Sequence, residues 1–265
     1  MTLRYYLRLY GAYFRLGLKT MAQYRADVWI MAVSTAIRDG ATLLFLSVIF
    51  GKITQLQGWS FYEIVLIYGL GTVSGTLLTL FFNMPHSMGW YVLGGQLDVL
   101  LVRPARPLFQ MLGERRLNPV GASSLVVGIA IVAVALARLD LAFRAWWLLY
   151  LPLVVISGTV LWFSIYLILA CMSFWFTTAN ALMIPLGYIP EFARYPLTIY
   201  GRPIQFVLTW VLPYAMVALF PAGFLLGKEG YRLYGLLAPL MGWLFLGLAL
   251  LTWSVGVRRY KSTGT

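Results

Sequence analysis

Gly94-Gly95-Gln96-Leu97-Asp98-Val99-Leu100-Leu101-Val102-Arg103-Pro104-Ala105-Arg106-Pro107-Leu108-Phe109-Gln110 separates two membrane-length apolar runs, and its reading decides how the chain is organised. The glycine pair frees the backbone to turn. Seven residues of apolar or helix-forming type follow, with Asp98 in the first turn and Arg103 at the end, a charge order that suits the helix dipole. Pro104 then stops the helix, because it lacks a backbone donor and its ring crowds the preceding turn. The pattern predicts a short, rigid, amphipathic helix lying across a loop between two spans. Such a rod can carry force from a soluble partner into a membrane bundle.

The flanking sequence is that of a polytopic membrane protein. Of 265 residues, 61% are hydrophobic and 11% charged, against about 25% charged in an average soluble domain, and mean hydropathy is +0.82. The net charge of +12 does not point to nucleic acid. The basic residues fall mainly between spans, where the positive-inside rule places them. The single Cys171 excludes an internal disulfide. The first 25 residues lack the uninterrupted apolar core of a cleavable signal peptide.

Crossing a bilayer takes about 20 apolar residues in a helix, and spans are predicted near 28–50, 61–83, 117–138, 145–172 and 233–256. Two pieces compete for a further span. Val207 to Leu226 is more apolar but broken by Pro213 and Pro221, whereas Ala179 to Ile199 carries Glu191 and Arg194. Either choice gives six spans and puts both termini on one side. Arg4, Arg8, Arg15, Lys19 and Arg25, then Arg103, Arg106, Arg115 and Arg116, then Arg258, Arg259 and Lys261 fall on that side. Lys52, Arg138, Arg144, Lys228 and Arg232 fall on the other, so the termini and the 84–116 loop are predicted to be cytoplasmic. Before the first span, Leu3, Leu7, Tyr10, Phe14 and Leu18 form one helical stripe and Arg4, Arg8, Arg15 and Lys19 another. This predicts an in-plane amphipathic elbow helix over 1–26, apolar toward acyl chains and basic toward head groups. No repeat or linker divides the chain, which reads as one domain over 1–265.

Catalytic signatures are missing. His86 is the one histidine, and the acids are scattered, so no metal-ligand cluster is predicted. Gly223-Phe224-Leu225-Leu226-Gly227-Lys228 imitates a phosphate loop, but its glycines are one residue too close and Glu229 stands where Ser or Thr is needed. The chain is therefore expected to have no enzymatic activity, no cofactor and no nucleotide site of its own.

Ionisable residues inside spans are the sharper signal, each costing roughly 2.5–3.5 kcal/mol at the bilayer centre. Arg38 and Asp39 lie mid-span and, as neighbours about 100° apart on a helix, are not expected to pair with each other. They face either a polar cavity or an interhelical partner. Glu191 and Arg194, one turn apart, can share a face. Glu63, at a span end, is expected to be solvated. Gly71 and Gly75, preceded by Gly69, suggest a close helix crossing. Trp59, Trp146, Trp147, Tyr231, Trp253 and Tyr260 read as an aromatic belt.

These features resemble the permease subunit of type-2 ABC exporters. The element is Gly95-Gln96-Leu97-Asp98-Val99-Leu100-Leu101-Val102-Arg103-Pro104, and its continuation through Pro107-Leu108-Phe109-Gln110 is similar to a bacterial ABC-2, viologen-exporter-like subfamily. Tyr195-Pro196, Arg202-Pro203-Ile204-Gln205, Pro213-Tyr214 and Pro221 resemble that subfamily's last third. The resemblance implies an all-α fold of six transmembrane helices with elbow helix, cytoplasmic coupling helix and a re-entrant hairpin over 202–226, leaving 177–197 as the fifth span. It assigns coupling to Gly95, Leu97, Asp98, Leu100, Leu101, Arg103 and Pro104. It implies a separate nucleotide-binding ATPase that carries ATP and magnesium, a second permease (related or identical), membrane lipid around the bundle, and residence in a bacterial inner membrane. Arg38, Asp39, Glu191 and Arg194 are left as pathway or interhelix residues. An ion-coupled secondary transporter using those four is the alternative, with a lipid-modifying enzyme or a scaffold behind it.

Overall fold

A computed structural model describes residues 3–82, 88–114, 119–141, 144–176 and 185–260. Its elements are α1 (Leu3–Gln23), α2 (Arg25–Phe50), α3 (Phe61–Phe81), α4 (Met88–Leu93), α5 (Gln96–Val102), α6 (Pro107–Glu114), α7 (Pro119–Arg138), α8 (Trp147–Cys171), α9 (Ile189–Phe192), α10 (Arg202–Phe206), α11 (Leu219–Leu225) and α12 (Arg232–Arg259). The fold is all-α and polytopic. Five helices (α2, α3, α7, α8 and α12) are long and apolar enough to cross a membrane. A sixth candidate is the pair Arg202–Val211 and Tyr214–Leu225, bent by 67°. His86, Arg115, Arg116 and Lys261 lie outside the described residues, as does 177–184 of the expected fifth span. Its described part, 185–197, is not one straight helix: α9 is a single turn with Pro190 at its start, and Pro196 caps a separate 3₁₀ turn at Leu197–Ile199.

Helices α3 and α8 are the buried centre of the bundle, and α2, α7 and α12 surround them with largely exposed apolar faces. Without water to drive apolar association inside lipid, close packing between spans depends on small residues. Along α12, Gly235, Gly242, Ala249 and Gly256 recur every seven residues, and all four are buried. That period keeps a single seam facing its partner. A Cβ at Gly242 would stand 2.2 Å from the Ser157 carbonyl oxygen, so only glycine permits this approach. Ser157 exploits the proximity: its hydroxyl donates to Ala238 O at 2.9 Å and accepts from the Gly242 N–H at 3.1 Å.

The α3–α7 crossing is equally close. Added Cβ atoms would lie 2.8 Å from Val132 at Gly69 and 2.7 Å from the Leu80 Cα at Gly121. The predicted Gly71/Gly75 step is not that crossing, since the nearest atoms to added Cβ atoms there are 3.7 Å away. Gly69 makes the contact, and α7 supplies its own glycines.

The aromatic belt is also corrected in part. Trp59, Trp147 and Trp253 are buried core residues. At the α3 N-terminus Glu63 is not simply solvated: it accepts the Ser60 N–H at 2.7 Å and pairs with Lys228 at 3.0 Å. The Lys228 ammonium also donates to Gly58 O at 2.8 Å and stands 4.6 Å from the Trp59 ring centroid. The apparent phosphate loop thus ends in a structural clasp.

The seam makes a matched prediction. Gly242→Ala should lower the thermal unfolding midpoint of the detergent-solubilised chain, overpacking costing about 1–3 kcal/mol. Gly247→Ala, where nothing lies within 4 Å of an added Cβ, should leave it unchanged or raised. Equal effects would show that the α8–α12 approach does not limit stability.

Candidate functional site

Helix α5 begins where the sequence requires it. Gly95 caps its N-terminus at φ 71°, a left-handed conformation that a side chain would strain. Arg103 at its C-terminus is extended (φ −76°, ψ 150°), as a residue preceding proline prefers. Seven residues give about two turns, enough to present two faces. Leu97 and Leu100 are fully buried in one cluster with Tyr91, Met111, Tyr166, Leu167 and Trp253. Val99, Leu101, Val102, Arg103 and Pro104 are exposed, Val102 at 84%. The residues assigned to coupling therefore divide: Leu97 and Leu100 hold the helix to the bundle, whereas Leu101, Arg103 and Pro104 lie on the open side.

Three contacts hold the helix and the loop that follows it. Gln110, itself buried, donates from Nε2 to Leu100 O at 3.0 Å and to Ala105 O, clamping the turn after α5. Tyr260, just beyond α12, stands near Asp98. Burial first, and the Asp98 carboxylate next, raise the Tyr260 phenol above its ordinary pKa of 10.0. Tyr6 of α1 meets Phe109 edge-on at 4.8 Å, and its hydroxyl accepts the Arg106 N–H at 3.4 Å. The elbow helix is thus joined to the loop it flanks, while Leu7, Tyr10, Phe14 and Leu18 along it stay exposed. Only Gln110 carried a sequence signal, its place at the end of the Arg-Pro-x-x-Pro-Leu-Phe-Gln run. The partners of Tyr6 and Tyr260 lie about a hundred residues or more away, beyond the reach of periodicity.

In the middle of the bundle the four ionisable residues come together. Contrary to the expectation from helix geometry, Arg38 and Asp39 do pair, Nε to Oδ1 at 3.1 Å. The long arginine side chain curls back across the 100° that separates their Cβ directions. Tyr68 of α3 donates to the same Oδ1 at 3.0 Å. Arg194 pairs with Glu191 at 2.8 Å and lays its guanidinium 4.9 Å from the Tyr68 ring centroid. Tyr68 is therefore the residue that links the two ion pairs, and its sequence context, an aromatic in an apolar span, offered no sign of it. Asp39 is almost wholly buried, whereas the Arg38 side chain is 64% exposed. Among the described residues no group of three or more His, Cys, Asp or Glu is placed to hold a metal ion.

Helix α5 thus has one face locked to the bundle, and a polar layer of two ion pairs linked by Tyr68 lies among the spans. No curated protein and no solved structure matches the chain significantly. Residues 36–264, which include all the spans from mid-α2 onward, α5 and the polar layer, match the family described as ABC-2 family transporter protein, and the chain belongs to that family.

Proposed function

We propose that this chain is the permease subunit of an exporter powered by a separate ATPase, with α5 as the helix that receives the ATPase's motion. The observation that carries the reading is the division of α5 into a buried face and an exposed apolar one. The count of basic residues puts 84–116 in the cytoplasm, where Val99, Leu101 and Val102 have no acyl chains to cover them. An exposed apolar patch in water, rimmed by Arg103 and Arg106, suits a protein groove. Pressure on it passes through Leu97 and Leu100 to α8 and α12, whose residues share their cluster.

The same orientation puts Glu63, Lys228 and Tyr231 at the outer surface. Both arms of the bent segment reach one residue there, Trp210 and Phe220 each meeting Tyr234 near the start of α12. The depth of the bend is marked by Tyr214 against Trp162. This favours a re-entrant hairpin over a crossing, its backbone lined by protein as lipid requires. The return to the outer surface then falls to the fifth span expected over 177–197, and both termini are cytoplasmic. The N-terminal half of α2, with Trp29, Ile30 and Val33 exposed, would meet a second permease, of related or identical sequence, in a bacterial inner membrane. ATP and magnesium would reside on the ATPase, this chain supplying no catalysis.

Purification of the intact chain from its native membrane in a mild detergent should bring down an ATPase polypeptide. Leu101→Asp with Val102→Asp should cut its recovery by about tenfold or more, a loss near 1.4 kcal/mol of binding, with the permease still monodisperse. Full recovery of the ATPase on that variant would remove α5 from the coupling role. Gln110→Leu strands two carbonyls, at a cost of about 1–3 kcal/mol, and should speed hydrogen exchange across 96–102 while sparing α8. Unchanged exchange would show that the clamp is not needed.

A further inference from the structure

The paired polar layer borders two cavities. One, about 350 Å³, runs along α3 toward its C-terminal end, past Thr72, Thr76 and Thr79, and is also lined by Ser124 of α7 and Trp162 of α8. The other, about 440 Å³, lies toward the opposite surface against Phe45, Leu46 and Tyr195. Arg38, Thr42, Tyr68, Glu191 and Arg194 line both. These five, with Asp39 on the first side, form a shared wall of two ion pairs linked by a tyrosine, between a space that follows α3 toward its C-terminal end and one beside Phe45 and Leu46 near the C-terminal end of α2.

We propose that this wall is where the polar head of the transported molecule is recognised, and that the head is zwitterionic. The proposal rests on the permease reading above and names its substrate class. Two arginines face two acids, so the wall has no net charge. Binding a singly charged head at Asp39, which is almost wholly buried, would leave an uncompensated charge there, which is costly. A head carrying both signs instead exchanges partners one for one, its cation to a carboxylate and its anion to a guanidinium, and leaves the site neutral. Asp39 is poised for this exchange. Its Oδ1 accepts from Arg38 and Tyr68, while its buried Oδ2 has no partner among the described residues. Arg38 spends only its Nε on Asp39 and leaves the rest of an exposed guanidinium for an anion. Trp162 Nε1 and Thr72 Oγ1, in residues lining the inner cavity, are likewise without partners. The tail of the ligand is apolar, because Arg38 is flanked along α2 by exposed Ile37, Leu44 and Phe45. An amphiphile seated there has its head at the wall and its chain along that face.

The test uses the full chain in dodecyl maltoside, whose sugar head sets the background. Tritiated tetradecylphosphocholine is bound and displaced by unlabelled tetradecylphosphocholine, by the trimethylammonium and sulfate amphiphiles of the same chain, and by phosphocholine without a chain. The zwitterionic amphiphile should displace label at about tenfold lower concentration than either singly charged one. Asp39→Asn and Arg38→Gln should each erase that difference. Arg38 is exposed, so its variant keeps the test valid if Asp39→Asn fails to fold. Equal displacement by all three chains, preference for one charge, or equal displacement by chainless phosphocholine would overturn the proposal, as would monodisperse variants that keep the preference. Recovery of the ATPase with wild-type chain in the same preparation shows that the permease reading stands when the binding result fails. Absence of the ATPase would defeat that reading instead.

Discussion

The approach of α8 to α12 is the constraint on which the remaining structure depends. In lipid, two apolar helices gain little by hiding from their surroundings, so they associate through close van der Waals contact and hydrogen bonds between backbones. Gly242 lets α12 come within reach of the Ser157 carbonyl, and the Ser157 hydroxyl then ties two turns of α12 to α8. The seam runs the length of both helices, from Tyr150 donating to Gly235 O at 2.8 Å down to Gly256 against Phe174. At that lower end the paired helices present the floor on which Leu97 and Leu100 rest. Remove the close approach and α5 has no fixed surface to lean on.

Charge in the bundle obeys a second constraint. A lone ion among spans is expensive, so Arg38, Asp39, Glu191 and Arg194 are held as pairs rather than singly. Tyr68 couples the pairs by hydrogen bond on one side and ring contact on the other. The pairing is incomplete at Asp39 Oδ2. Leaving a buried carboxylate oxygen unsatisfied lowers stability, and such a feature persists where something other than stability maintains it.

Much of this architecture was legible in the sequence because membranes simplify the code. Hydropathy located the five long spans to within a few residues, and Gly95 and Pro104 bounded a helix whose seven residues are those expected. Legibility failed where a residue's fate depends on distant partners. Trp59, Trp147 and Trp253 sit near span ends, as belt residues do, but each has a neighbour to pack against, as Tyr231 does for Trp59 at 5.4 Å. The Arg38–Asp39 pair was excluded by Cβ directions alone, which ignore the reach of a long flexible side chain. Gly71/Gly75 matched a crossing motif, but the seam that matters most is the seven-residue repeat of Gly235, Gly242, Ala249 and Gly256. It lies in a span too rich in small residues for any one of them to stand out. The region 185–226 resisted because proline breaks it repeatedly, and helix periodicity cannot be read across breaks.

One turn of α8 joins the two halves of the proposed machine. Trp162 lies in the wall of the inner cavity and packs against Tyr214 of the bent segment at 5.3 Å. Its neighbours Phe163 and Tyr166 belong to the cluster that buries Leu97 and Leu100. A helix turn is stiff, and its side chains on adjacent faces cannot shift independently. A displacement of α5 that moves Phe163 and Tyr166 would therefore also move Trp162, which lines the same cavity as the ion pairs. The distance from loop helix to ion pair is thus spanned by one rigid element and needs no relay through lipid-facing helices. That arrangement also assigns the small residues their role. The α3–α7 and α8–α12 crossings are glycine-tight, whereas Gly71 and Gly75 leave room beside Ala218 and Trp162. Slack thus lies where α8 and the bent segment meet α3, beside the cavity that the ion pairs line.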